Sequence, residues 1–159
     1  MKPTKTLLQR IASEELELVL DSFTEDDAWH LGLLLAEMAR ARKLPVAVDI
    51  RRPGQVLFHA AFPGAVADNE EWIRRKTNVL FRFGKSSLAV GVALALDGQT
   101  IEEKSYISSF EFSPHGGAFP VRVKGAGIVA AATVSGLPQE DDHALVVEAL
   151  RAFKLKVKA

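Results

Sequence analysis

Val46-Ala47-Val48-Asp49-Ile50-Arg51-Arg52-Pro53-Gly54-Gln55-Val56-Leu57-Phe58-His59-Ala60-Ala61-Phe62 decides the fold class of this chain. Its first limb alternates in character, Arg52-Pro53-Gly54-Gln55 puts proline and then glycine at the centre of a tight turn, and residues 55–62 return as a second strand. This is an antiparallel hairpin. If the turn closes as a two-residue loop, Asp49 and Arg51 share a face with Val56 and Phe58, while His59 faces Val46 and Val48.

Working outward, a second hairpin is read from Val121-Arg122-Val123, the turn Lys124-Gly125-Ala126-Gly127 and residues 128–134, with Ser135-Gly136 ending it. Helices fill the rest. Thr24 caps a helix with Asp27 three residues on, and Ala28, Leu31, Leu35 and Met38 repeat at helical spacing until Pro45. Asp68 and Glu71 read as a capping pair for a helix through Trp72, Ile73, Leu80 and Phe83 to Gly84, with Lys76 inside its apolar stripe. Residues 88–96 suit a buried helix begun at Ser86 or Ser87 by their alanine and leucine content, with a strand as the alternative on periodicity alone, and Thr100 opens one more turn. The last helix starts at Pro138 and the acids Glu140, Asp141 and Asp142, with Val146, Leu150 and Phe153 on its core face. Near the start, residues 16–20 read as a short strand after a helix that ends by Ser13. The order of helices and hairpins argues for α+β rather than a parallel βαβ sheet.

Composition bounds the function. The 159 residues are 48% apolar and 25% charged, which fits one globular domain over residues 1–159. Twenty basic residues balance twenty acidic ones, so nothing in the charge favours nucleic acid or a membrane surface as partner, and zero net charge favours self-association. There is no cysteine, which removes disulfides, thiolate metal sites and cysteine nucleophiles. No run reaches the length of a membrane span, and the first ten residues lead into no apolar signal region, so the cytoplasm is the expected location.

Chemistry concentrates in Ser113-Pro114-His115-Gly116-Gly117-Ala118-Phe119-Pro120-Val121, a loop that packs one histidine, two glycines and two prolines between apolar segments. The amides of Gly116 and Gly117 are candidates to face an anion, and His115 to act as an axial ligand or a proton-transfer group. The other histidines read otherwise: His30 and His143 as surface groups near helix starts, His59 as a packed strand residue. None has the spacing of a zinc site. Arg74, Arg75 and Lys76 fall on different faces of a helix, so they do not serve one site. Lys76, between Trp72 and Leu80, is the one candidate for burial, with snorkelling to the rim as the alternative, and a buried lysine needs a carboxylate, an anionic ligand or a shifted pKa. Asp49 is its nearest partner by sequence logic; alternatively Asp49 pairs with Arg51. Ser135-Gly136 lacks the elbow of a serine hydrolase, and Gly125 and Gly127 form no phosphate-binding loop.

Asp26-Asp27-Ala28-Trp29, Asp49-Ile50-Arg51-Arg52, Glu71-Trp72-Ile73-Arg74-Arg75-Lys76, Pro114-His115-Gly116-Gly117-Ala118-Phe119-Pro120 and Val134-Ser135-Gly136-Leu137-Pro138 together resemble uncharacterised protein family 0303. That family is a branch of the heme-degrading-domain superfamily of GlcG-like and HbpS-like proteins, and the resemblance spans residues 16–153. It implies a profilin-like two-layer α+β domain, a central antiparallel sheet flanked by helices, and a homo-oligomer, with heme among the candidate cofactors. The expected function is a small-ligand-binding module for an anionic or tetrapyrrole ligand, its site drawn from His115, Gly116, Gly117, Phe119, Arg51, Asp49 and Lys76. The alternatives are an enzyme using His115 as general acid/base on a small carboxylated substrate positioned by Arg51, and an assembly or adaptor protein without a small ligand.

Overall fold

The computed structural model describes residues 2–158. Helices α1 (Lys5–Glu17) and α2 (Glu25–Ala41) precede the hairpin β1 (Ala47–Arg52) and β2 (Gln55–Ala61). Helices α3 (Asp68–Phe83), α4 (Ser87–Asp97) and α5 (Ile101–Ser105) lead to the second hairpin, β3 (Ala118–Val123) and β4 (Gly127–Ser135), and α6 (Gln139–Lys158) closes the chain. The four strands form one antiparallel sheet in the order β2-β1-β4-β3, so the hairpins meet along a β1–β4 seam.

Alternation along the strands sorts residues to the two faces. Val48, Ile50, Phe119, Val121, Ala130, Ala132 and Val134 join the core under α2 and α6, with Leu31, Leu35, Val146 and Leu150 wholly or almost wholly buried. On the other face Thr133 meets Thr77 of α3 at 3.1 Å, and Ala131 and Ala118 pack with Leu80. Each fully buried Leu or Val of such a core contributes about 1.5–3 kcal/mol relative to leaving it in water.

Local chemistry sets most boundaries. Thr24 and Asp27 form a reciprocal capping box, as do Thr100 and Glu103, and Ser86 caps α4. The expected pair at the start of α3 does not form: Ala67 is its N-cap with no side-chain bond, and Asp68 instead accepts from the Trp72 indole at 2.9 Å. Helices α3 and α4 end on left-handed Gly84 and Gly98.

Two further expectations are corrected. Residues 16 and 17 continue α1 rather than starting a strand, because Ile11, Glu15 and Leu18 recur at helical spacing and all three are buried, whereas Leu16 stands 77% exposed. Only Leu20 touches the sheet, as a parallel bridge to Val123. In the first hairpin the register shifts between Ile50 and Arg51, so that Arg51 faces Val56 but Ile50 faces Phe58. The extra residue, Leu57, reverses the alternation, and His59 lands opposite Asp49 instead of beside Val46 and Val48.

Candidate functional site

Three segments converge beyond the end of β4. Helix α3 turns Ile73, Lys76, Thr77 and Leu80 inward at helical spacing. The loop before β3 is laced to that helix: the Ser113 amide donates to the Arg75 carbonyl at 3.1 Å, Asn78 donates to the Glu111 carbonyl, and Arg74 pairs with Glu111 at 2.6 Å. Helix α6 begins just past Ser135-Gly136-Leu137. Between them lies a cleft of about 270 Å³, walled by Asn69, Trp72 and Lys76 of α3, His115, Ser135 to Leu137, and Gln139 and Asp142 of α6.

Lys76 is the floor of this cleft. Its side chain is 3% exposed, and Nζ donates to Asp142 Oδ2 at 2.8 Å and to the Val134 carbonyl at 3.1 Å. That carbonyl lies near the end of β4, where Val134 N–H donates to the Gly117 carbonyl just before β3 begins, and the lysine ammonium gives its oxygen a donor. Asp142 also accepts from the Leu137 amide at 3.0 Å, so its carboxylate is engaged by the chain itself. Burial drives both partners toward their neutral forms, lowering Lys76 and raising Asp142, and their mutual attraction opposes it. The partner of Lys76 is therefore Asp142, not Asp49, 66 positions away in sequence.

His115 stands on the wall. Its Nδ1 lies 2.8 Å from the hydroxyl of buried Ser113, and its ring meets Trp72 edge-on at 5.2 Å. The Arg75 guanidinium covers the same indole at 4.4 Å. Burial, then the charges of Lys76 and Arg75, lower the His115 pKa, so its imidazole is neutral at physiological pH.

The glycines of this loop serve close packing. A side chain on Gly116 would strike the Gln139 backbone, and its amide is already donated to Gln139 Oε1 at 3.1 Å, so it does not face an open anion site. Gly117 has φ +133°, and a Cβ there would press on the Val134 carbonyl and stand 2.7 Å from Lys76 Nζ. Residues 118–120 belong to β3 rather than the loop, and Phe119 is wholly buried on the α2/α6 face, edge-on to His143 at 5.5 Å. Phe119 is therefore no part of the cleft.

Asp49 and Arg51 form a separate cluster near the first hairpin. Arg51 Nε and Nη2 grip Asp49 at 2.5 and 2.6 Å, His59 Nδ1 lies 3.0 Å from the same carboxylate, and His59 Nε2 reaches Glu70 of α3 at 2.7 Å. His59 is thus a half-exposed link between the outer strand and α3. His143 is corrected in the opposite sense. It is 2% exposed and bonds Glu14 of α1 at 3.0 Å. Its spacing from Val146 and Leu150 puts it on the core face of α6, a signal present in the sequence. Of the nine residues that line the cleft, the sequence reading selected only Lys76 and His115 as site residues.

An open antiparallel sheet with helices on both faces, and a cleft beyond one strand end, defines an α+β protein. The family model for haem degrading protein HbpS-like matches residues 23–151, and the chain belongs to this family, among its UPF0303 members. A UPF0303 protein of Streptomyces coelicolor is 52% identical over 151 residues, covering 95% of this chain and 96% of that one. Among solved structures, Ybr137w superposes with a TM-score of 0.91 at 34% identity, covering 98% of this chain and 92% of that one. The PduOC:heme complex superposes with a TM-score of 0.67 at 18% identity over 82% of this chain and 94% of that one, a likeness of fold. No single helix among the described residues is long and apolar enough to cross a membrane.

Proposed function

We propose that this protein binds a small oxyanion, of carboxylate type, in the cleft between α3, the His115 loop and the start of α6. One observation carries the reading: the cleft is rich in donors, and its one carboxylate, Asp142, is already engaged by Lys76 and the Leu137 amide. The remaining Lys76 proton, the Ser135 hydroxyl, the Gln139 and Asn69 amides and the His115 ring offer hydrogen bonds to a ligand that supplies acceptors.

Heme is the second reading, supported by the family and by the heme complex of the PduOC neighbour. His115 suits an axial role, since Ser113 fixes one ring nitrogen and the imidazole is neutral. The cleft does not suit the macrocycle: at about 270 Å³ it falls below the roughly 300–1,000 Å³ of drug-sized pockets, and its apolar lining is limited to Trp72 and Leu137. A tetrapyrrole is larger than this cleft.

The test uses Trp72 as reporter in a Trp29→Phe background, which leaves one tryptophan. Saturable quenching by succinate or phosphate, weakened about tenfold in Gln139→Ala, is expected. Hemin is titrated in parallel with His115→Ala. A saturable Soret shift lost in that variant, with no response to either anion, overturns the small-anion reading in favour of heme.

A further inference from the structure

A groove of about 590 Å³, roomier than the His115 cleft, lies at the C-terminal end of α2, between that helix and the end of β2. Its floor is apolar, made by Ala39, Leu44, Phe62 and Pro63, and it contains no carboxylate. Leu44 and Phe62 each give part of their surface to the core and leave part in the groove. Two cations line it, Arg40 and Lys43, both exposed. Among the described residues neither side chain holds an ion pair or hydrogen bond, whereas neighbouring Arg42 is committed to Glu148 at 2.5 Å.

The backbone adds a second, independent observation. Helix α2 ends in a Schellman motif: Leu44 N–H donates to the Ala39 carbonyl at 2.9 Å and Lys43 N–H to the Arg40 carbonyl at 3.2 Å. The residue after the cap in this motif is left-handed and ordinarily glycine, as Gly84 and Gly98 are at the ends of α3 and α4. Here it is Lys43, at φ +53°. A lysine thus occupies a strained backbone position, with its free ammonium beside an apolar groove.

We infer that this groove is a second ligand site, independent of the His115 cleft, which takes an aliphatic carboxylate with its chain along Leu44, Phe62 and Pro63 and its head group between Arg40 and Lys43. The volume lies within the range of ligand pockets, and unpaired positive charge over an apolar floor matches the two ends of such a molecule.

Decanoate, decanol and decyltrimethylammonium, each below its micellar concentration, are titrated calorimetrically into the wild type, Lys43→Gly and Arg40→Gln. Decanoate is expected to bind saturably, decanol at least about tenfold more weakly, and the cationic amphiphile not at all. Lys43→Gly separates function from folding, because relieving the left-handed lysine raises Tm by about 2–4 °C while weakening decanoate about tenfold. Equal binding of decanoate and decanol, or a Lys43→Gly variant that is more stable yet binds decanoate as the wild type does, overturns the site. So does the absence of decanoate binding by a chain that is dimeric in sedimentation and becomes monomeric in Phe62→Glu, which assigns the groove to a second copy.

Discussion

Asp49 and Asp142 are both buried carboxylates paired with a cation, and they are built for different ends. Asp142 and Lys76 are sealed together, at 2% and 3% side-chain exposure, with every contact supplied by the chain. Asp49 is equally buried, but its partners Arg51 and His59 keep 24% and 31% of their side chains in water. The open cluster works as a clasp: a bulge aims His59 at Asp49 and Glu70 and so ties the outer strand to α3. The sealed pair carries a desolvation cost that two apolar residues would avoid. It also holds the Val134 carbonyl and provides the floor of the cleft, so its position bears on stability and on the binding proposed above.

Breaking the sealed pair has the largest expected effect. Lys76→Met leaves Asp142 buried without its cation and costs about 3–5 kcal/mol in urea unfolding, while Lys76→Met with Asp142→Asn recovers a substantial part. If the single substitution costs no more than an exposed pair, the contrast between the clusters fails. Next is Gly117→Ala, which forces a side chain against the Val134 carbonyl and Lys76 in a left-handed conformation and costs about 1–3 kcal/mol. Gly125→Ala is its control: φ is +78° there and nothing lies within 4 Å, so only backbone strain of about 1 kcal/mol remains. Arg51→Gln in the open clasp matches that control at about 1 kcal/mol, since water reaches the group that replaces it and His59 still faces Asp49.

The smallest effect is a pH dependence. His115 has a lowered pKa in the folded protein, so the unfolded chain takes up its proton first as pH falls below the ordinary value of 6.5. The associated stability is fully present above that pH and is lost progressively below it. The stability difference between wild type and His115→Gln measured at pH 7.5 is therefore expected to shift against the wild type by pH 5. A difference that stays constant over this window removes the desolvated histidine from the description of the cleft.

The same comparison shows what the sequence discloses. Local chemistry was legible: the Pro53-Gly54 turn, the boxes at Thr24 and Thr100 and the stop at Gly84 each act within a few residues. Helical spacing marked Lys76 as a candidate for burial but left snorkelling to the rim open, and the Asp49–Arg51 pair, two residues apart on one strand, stood as one of two readings of Asp49. Asp142 was hidden because acids in the first turn of a helix are explained by the helix dipole, and nothing local points to a lysine in another helix. The place of His59 was hidden for a different reason: one extra residue inverts a strand, and Leu57 carries no mark of being that residue. At residues 16–18 the alternation Leu-Glu-Leu mimics a strand, while the longer period through Ile11, Glu15 and Leu18 decides the outcome.

The β1–β4 seam has a consequence for how the molecule comes into being. Each hairpin closes over a short turn and brings together neighbours in the chain, but the seam joins strands separated by α3, α4 and α5. Closing so long a loop is the slow, entropy-limited event in folding. The cleft borders that seam, since Ser135 on its wall pairs with Ala47 of β1. A chain halted before closure presents unpaired inner edges on both hairpins, with the uncharged stretch Val129-Ala130-Ala131-Ala132-Thr133-Val134 open to any strand of like character. Closing the seam thus sets the strand end beside the cleft and covers the edges by which such a chain would aggregate, in a single step.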